Sequence, residues 1–432
     1  MAPLIVFGLF LLLIIFGTPI GTALGMAGIG AILTFDLGTA MISRNFEANI
    51  AKFPLVAIPF FILAGNLMEK SRIVDGISRF VILLTGRNVG GLAIAGVITC
   101  IFWGAVSGSG PATAAALGLV FIAPMIKQGY DKYFAASTIA AGAGLSIIIP
   151  PSIAFIVYGN LTDVSVGALF LGGVIPGIIV GIFLIIATYW VARTHNFRGT
   201  EEKGTPKELL KAFIDSFWAL LAPVIILGSI YAGVATPTEA AIMGVFYALF
   251  VGTFVYHTIT WNVLFQALSD TVMSSAVVMF VVSMAGIFSW AAATLGVIDA
   301  AAKLVSSLTS NPLVFVLLTN AVMIVAGMFL DAISITYVFM PIILPALKLL
   351  HIDPLYFGIV FVIALAIGQI TPPVAVNLYV TANLIHSDIN TEMVRYVIPM
   401  VIAAILALIF ITFIPSLSLY LPVGAGLYTP LK

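Results

Sequence analysis

Charge is what this sequence has least of. Only 8% of its 432 residues are Asp, Glu, Lys or Arg, against roughly 25% in a soluble domain. A mean hydropathy of +1.22 points the same way and excludes a water-soluble fold. The 17 basic and 17 acidic residues cancel, so there is no basic face for nucleic acid. One cysteine, Cys100, excludes an internal disulfide framework and any cysteine-rich metal site. The four histidines, His195, His257, His351 and His386, lie far apart and match neither HxxxH nor HExxH, so no zinc site is expected. No phosphate-binding G-x-x-x-x-G-K-S/T motif is present, which excludes an ATP-driven pump for this chain alone. An intramembrane enzyme also lacks support, since no GxSxG and no paired catalytic aspartates lie on the apolar stretches.

What the sequence has in abundance is apolar length. Hydrophobic residues make up 62% of it, and at about 20 residues per span the chain is an all-α polytopic membrane protein. Its start, MAPLIVFGLF, lacks the basic n-region of a cleaved signal peptide, so the first stretch is expected to be retained. Apolar stretches run at 3–35, 53–69, 89–126, 133–158, 166–192, 213–234, 237–256, 271–292, 311–350, 354–385 and 396–421. The first is long enough for one span or two. Residues 89–126 are too long for one crossing and break at Ser107-Gly108-Ser109-Gly110-Pro111; residues 311–350 break around Asp331-Ala332-Ile333-Ser334. Both read as re-entrant hairpins, tolerated at membrane depth where protein buries them or they line a cavity.

The breaks repeat. Pro150-Pro151 and Pro372-Pro373 stand 222 residues apart, as do Asp131 and Asp353, which open the segments leading to them. Ile73-Val74-Asp75 corresponds to Val297-Ile298-Asp299, Ile175-Pro176 to Ile398-Pro399, and Ser109 to Asp331. Ordered matches with little drift indicate a duplication. The organisation that follows is an N-terminal segment 1–52, repeat one 53–177, connecting spans 178–276, repeat two 277–400 and a C-terminal remainder 401–432.

Charge orients these repeats. Lys70, Arg72, Arg79, Arg87, Lys127, Lys132, Arg193, Arg198, Lys203, Lys207, Lys211 and Arg395 fall on one side, and Arg44, Lys52, Lys303, Lys348 and Lys432 on the other. The positive-inside rule makes the first side cytoplasmic. Residues 193–211 then form a solvated cytoplasmic linker. Five crossings separate the two hairpins, so the first enters from the cytoplasm and the second from outside. An inverted repeat with interrupted helices is the architecture of secondary transporters, with the binding site at the midplane.

Pro-Pro inside an apolar helix removes backbone donors and frees the carbonyls just upstream. In lipid those oxygens need a partner, and a monovalent cation accepts several at once. The breaks read Ser146-Ile147-Ile148-Ile149-Pro150-Pro151-Ser152 and Gly368-Gln369-Ile370-Thr371-Pro372-Pro373-Val374. The hairpin turns add Ser107 and Ser109, and Gly327, Asp331 and Ser334. Hard, mostly neutral oxygens suit Na⁺ over a transition metal; simple close packing of kinked helices is the plainer reading. Asp331, an acidic residue at membrane depth, has four readings: cation ligand, proton carrier, partner of a substrate hydroxyl, or a cap on the second half of its hairpin. Asp331, Ser334, Ser152 and Asn377 are the substrate-binding candidates. Thr236-Pro237-Thr238-Glu239 reads as a capping box, and Asp163 and Ser387/Asp388 as helix starts. Stretches 70–87 and 293–307, with Arg72, Arg79 and Lys303, are amphipathic, either interfacial helices bracing a moving part or solvated loops.

Four motifs carry a resemblance: Phe102-Trp103-Gly104-Ala105-Val106-Ser107-Gly108-Ser109-Gly110-Pro111-Ala112-Thr113, Ile149-Pro150-Pro151-Ser152, Leu169-Phe170-Leu171-Gly172-Gly173-Val174-Ile175-Pro176-Gly177 and Gly233-Val234-Ala235-Thr236-Pro237-Thr238-Glu239-Ala240. With these, the chain resembles the large, DctM-like membrane subunit of tripartite ATP-independent periplasmic (TRAP) transporters over nearly its whole length. The resemblance implies an elevator-type carrier in the bacterial inner membrane, driven by Na⁺ and receiving an organic acid from a periplasmic substrate-binding protein. It also implies a small four-helix, DctQ-like membrane partner. Carried over residue by residue, the first Na⁺ site uses Ser107, Ser109 and the backbone at Ser146, Ile149 and Pro150. The second uses Gly327, Gly368, Thr371 and the backbone near Val374. Many members of the family have Gly where this chain has Ser146, and a second Ser where it has Gly110. A channel is the rival reading, since re-entrant hairpins also build pores. Sialic acid, C4-dicarboxylates and other small carboxylates all suit a midplane that lacks Lys and Arg, where helix N-termini, hydroxyls and bound cations hold an anion.

Overall fold

A computed structural model describes residues 2–71, 73–86, 88–197, 205–298, 300, 301, 303 and 309–431. Arg72, Arg87, Arg198, Lys203, Asp299 and Lys432, all used in the sequence reading, lie outside the described residues, as do parts of the 193–211 linker and of the 293–307 stretch.

The described residues are helical. In chain order the helices are α1 (Ala2–Ile15), α2 (Ile20–Thr34), α3 (Ala40–Ile50), α4 (Ala57–Lys70), α5 (Ile73–Thr85), α6 (Gly91–Ser107), α7 (Gly110–Lys127), α8 (Lys132–Ala143), α9 (Ile153–Thr162) and α10 (Val166–Thr194). After the linker come α11 (Pro206–Tyr231), α12 (Pro237–Phe250), α13 (Trp261–Thr294), α14 (Pro312–Gly327), α15 (Ala332–Leu349), α16 (Pro354–Gly368), α17 (Val376–Leu384), α18 (Thr391–Phe413) and α19 (Ser416–Gly424). Among the described residues, eight helical segments are long and apolar enough to cross a membrane. Leu119, Ile186, Phe246 and Phe265 are all at least 60% exposed, as side chains facing lipid are.

Polar residues set where these apolar helices begin. Asp131, Ser152, Ser165, Thr205, Thr236, Asn311, Asp331, Asp353 and Asn390 each stand at an N-cap and accept a first-turn N–H. The Thr236–Glu239 capping box forms as expected, with Thr236 Oγ1 donating to Glu239 Oε2 at 2.8 Å. Two cap expectations fail. Asp163 closes α9 in a left-handed conformation (φ 58°), and Ser165 starts α10 instead. Ser387 and Asp388 lie in the loop before α18, whose cap is Asn390. In both places the chain needs two or three more residues to turn before the next helix starts. The 3–35 stretch is two helices, parted by Gly17 at φ +79° and by Pro19. At 14 and 15 residues, each is about 21–23 Å long, shorter than the roughly 30 Å hydrocarbon core.

Helices α1–α5 pack with α11–α13: α13 lies on α2, α3 and α4, α12 on α4, and α11 on α5. Helices α6–α10 pack with α14–α19, centred on α8 and α16. Every residue of α16 from Leu355 to Gly368 is buried, and α8 is buried from Phe134 to Ala143. A helix apolar all round belongs in the middle of a bundle. The two sets meet chiefly where α4 and α5 touch α6, and where α13 touches α15. Helix positions recur at the spacing read from the sequence, as α7 at 110–127 and α15 at 332–349 illustrate.

Candidate functional site

Both Pro-Pro pairs sit between two short helices, and both have a cis bond. Pro150 offers no N–H to Ser146 O, four residues back, and Pro151 offers none to Ile147 O. Ser152 repairs the second loss: its Oγ donates to Ile147 O at 2.5 Å while accepting from Phe155 N at 3.4 Å. In the second break Pro373 deprives Gln369 O, and the backbone N–H of Asn377 replaces the lost donor at 3.1 Å. Thr371 N donates to Gly368 O at 3.0 Å, and Thr371 Oγ1 to Ile367 O at 2.6 Å. Ile147 O in the first break and Gly368 O and Gln369 O in the second thus regain donors from outside the regular helical ladder. The first is buried from Ile149 through Ser152; in the second, Pro373 and Val374 are exposed.

A helix hairpin closes over each break. The α6–α7 turn lies on the first: Ile153 N donates to Gly108 O at 3.5 Å, and a Cβ at Gly108 would stand 2.7 Å from Pro151 O. Gly108 has φ +62°, so glycine serves both the turn and the approach. The α14–α15 turn lies on the second, with Ala375 N donating to Met328 O at 3.0 Å. Below the turns nearly equivalent positions touch in each repeat, shifted by one residue on the hairpin. A Cβ at Gly104 would be 2.9 Å from Ser146 Cα, and one at Gly327 would be 2.9 Å from Gly368 Cα.

The expected residues divide by environment. Ser107 is buried, and its Oγ makes a long 3.4 Å bond to Ser109 O, which leaves that hydroxyl and carbonyl side by side. Ser146 Oγ donates to Thr113 Oγ1 at 2.8 Å, so its carbonyl rather than its hydroxyl is directed by the break. Asp331 caps α15: Oδ1 accepts from Ile333 N and Ser334 N, each at 3.0 Å, and Oδ2 accepts from Ser334 Oγ at 2.5 Å. The cap and a functional role coexist, because Asp331 also lines a cavity. Ser334 is fully buried against Asp331, and Asn377 is fully buried behind the cavity.

That cavity, about 220 Å³, lies between the two hairpin turns on one side and α4 and α13 on the other. Its inner wall is Ser107 to Ala112, Ile153, Ala154, Asp331 to Ile333 and Gln369, so the first turns of α7, α9 and α15 converge on it. Ser109 stands at the N-cap of α7 without making a side-chain cap bond, so the amides of Gly110 and Ala112 are open to a ligand. The outer wall is Ile62, Gly65, Asn66 and Glu69 of α4 and Ser274 and Val278 of α13. Lys70–Asp270 at 3.0 Å and Asn66–Thr271 at 2.9 Å tie these two helices together. Sequence reasoning missed the outer wall and Gln369. Glu69 ends an apolar stretch and reads as an interfacial charge, while Gln369 hides within a break whose repeat partner, Ile147, is apolar.

Comparison with known proteins follows the same outline. The family model described as the tripartite ATP-independent periplasmic transporter, DctM component, matches residues 7–417. The chain is 37% identical to the C4-dicarboxylate TRAP transporter large permease protein DctM of Vibrio cholerae serotype O1, over 98% of each. It is 35% identical to the isethionate TRAP transporter permease protein DctMQ of Oleidesulfovibrio alaskensis, over 96% of this chain and 66% of that longer one. In fold it is similar to the Alcanivorax borkumensis YdaH transporter, with a TM-score of 0.61 and 15% identity over 92% of this chain and 90% of that one. Such relatives are transporter permeases and not enzymes. With a full-length family match and eight segments fit to span a bilayer, the chain belongs to the DctM component family of TRAP transporters, as a multi-pass protein of the bacterial inner membrane.

Proposed function

We propose that this chain is the translocating subunit of a Na⁺-coupled importer for a small organic acid, fed by a periplasmic substrate-binding protein and completed by a small membrane subunit. The observation that carries the reading is the cavity walled by two hairpin turns, with three helix first turns facing it. Helix N-termini favour an anion and hold it without a buried basic side chain. Two clusters of oxygens flank it. One comprises Ser107, Ser109 and the carbonyls near Ser146, Ile149 and Pro150; the other comprises Gly327, Gly368, Thr371 and the backbone near Val374. Each takes one Na⁺ as co-transported substrate, since neutral hard oxygens suit that ion. Asp331 and Ser334 lie at the substrate's edge, with Ser152 and Asn377 shaping the wall behind.

In this reading the hairpins are re-entrant and enter from opposite faces. Helices α6–α10 and α14–α19 carry substrate and ions past α1–α5 and α11–α13, as in an elevator. One excess positive charge moved inward across 100 mV releases about 2.3 kcal/mol, which drives accumulation. The test is uptake into proteoliposomes holding this chain, the small subunit and the binding protein. Uptake should require all three and an inward Na⁺ gradient. Electrogenic flux that persists without Na⁺ would mean a channel, and uptake by this chain alone would remove the tripartite reading.

A further inference from the structure

Three buried polar atoms at one place have no hydrogen-bond partner among the described residues: Gln369 Oε1, Asn377 Nδ2 and Asn377 Oδ1. Gln369 is 4% exposed and Asn377 0%. They meet at the start of α7: a Cβ on Gly110 would stand 2.7 Å from Gln369 Oε1 and 2.9 Å from both Asn377 Nδ2 and Oδ1. Gly110 and Gln369 both line the cavity, and Asn377 lies directly behind them. A buried carboxamide without partners is costly unless a ligand completes it.

The duplication says which kind of ligand. At the breaks themselves Ser146, Ile149 and Pro150 correspond to Gly368, Thr371 and Pro372, so pairing there follows from the shared backbone break. Gln369 and Asn377 do not share in this: 222 residues earlier stand Ile147 and Phe155, both apolar and buried. A polar pair present in only one repeat serves something that happens once per molecule, and one substrate binds between two repeats. Its chemistry follows from the neighbourhood. The free first-turn amides of α7 at Gly110 and Ala112 favour an oxyanion over a cation, and each carboxamide contributes an NH₂ donor when its O and N exchange places. We infer that Gln369, Asn377 and the α7 first turn form the subsite that grips the oxyanion end, carboxylate or sulfonate, of the transported acid. A side chain at Gly110 would press on both carboxamides, so glycine there lets them stand against the α7 first turn. The inference rests on the transport reading above and adds its recognition element.

The test uses the three-component proteoliposomes with succinate, N-acetylneuraminate and isethionate as probes, taking whichever the wild type accumulates best. Gln369→Leu and Gly110→Ala, measured separately, should each raise the half-saturating probe concentration about 10- to 100-fold, the worth of charge-assisted hydrogen bonds. The Na⁺ concentration for half-maximal uptake at saturating probe should stay at its wild-type value. The melting temperature of Gln369→Leu should hold or rise, because an apolar replacement removes an unpartnered buried amide. Gln369→Met serves in its place if the Leu protein is not recovered. Unchanged probe affinity in both variants overturns the inference, and so does a shift in Na⁺ dependence alone, which would make this place a cation site. Should the wild type accumulate none of the three probes nor any acid of a wider panel of small carboxylates and sulfonates, the transport reading itself fails and this subsite with it.

Discussion

Replacing Gly368 by Ala perturbs one contact and nothing else in composition. A Cβ at Gly368 would stand 2.5 Å from Gly327 Cα, 2.8 Å from Gly327 C and 2.8 Å from Ile324 O. All three are backbone atoms of α14, so no side chain can swing aside. Carbon atoms in contact settle at about 3.5–4.0 Å, and α14 and α16 must therefore part by roughly 1 Å. Overpacking of this kind costs about 1–3 kcal/mol. The functional effect should be larger than the loss of stability suggests. A metal site tolerates displacements of about 0.2 Å in its ligand distances, and Gly327, Gly368 and Thr371 all move with these helices. Gly368→Ala should lower the melting temperature by a few degrees and raise the Na⁺ concentration for half-maximal uptake by more than about tenfold. Gly228→Ala on α11 is the control, since a Cβ there meets nothing within 4 Å. Na⁺ dependence of Gly368→Ala equal to that of the control would refute a cation site at this crossing.

Other expected outcomes follow from single side chains. Ser107→Ala and Thr371→Ala should each raise the Na⁺ requirement with little change in substrate demand at saturating Na⁺, read from uptake titrated against both; wild-type Na⁺ dependence in both would reduce the broken helices to packing. Asp331→Asn keeps an N-cap residue, so its fold should hold and any change in uptake reports the lost charge, whereas Asp331→Ala should also lose about 1 kcal/mol from the cap in thermal unfolding. Thr236→Ala should cost about 1 kcal/mol of stability and leave uptake kinetics alone. A cysteine label near Lys127 should react from the cytoplasm and one near Leu350 from outside, and reaction of both from one side would remove the inverted arrangement.

Much of this architecture was legible because lipid makes the chain declare itself. Long apolar stretches have one regular solution, and the two Pro-Pro pairs mark where that solution fails. Asp131 and Asp353 were legible as helix openings because a carboxylate before an apolar stretch has few other uses. Asp163 was not. It caps nothing at its own helix start but ends α9 in a left-handed turn, and Asp, like Asn, tolerates both jobs. Glu69 was missed for a related reason: in sequence it is the last residue before Lys70 and Arg72, a charged edge, and only the packing of α4 on α13 brings it to a cavity wall.

The repeat made some residues visible and concealed others. Matching the halves brings forward what both keep: the proline pairs, the opening aspartates and the close crossings of Gly104 with Ser146 and Gly327 with Gly368. Two ions held by one backbone device, as proposed above, would be well served by such symmetry. A substrate with one acidic end is not, because the two walls it meets must differ. Its recognition therefore has to appear where the halves disagree, and the replacement of Ile147 and Phe155 by Gln369 and Asn377 is such a disagreement, with Gln369 on the cavity wall and Asn377 behind it. Glu69 and Asn66 on α4 make a second, on the outer wall, where a carboxylate disfavours the acidic end and welcomes hydroxyl donors. Polarity thus runs across the cavity, from first-turn amides on the hairpin side to acceptor groups on the α4 side. On the proposed reading, an acid bound there would have one orientation open to it, carboxylate or sulfonate toward α7 and the remainder toward α4.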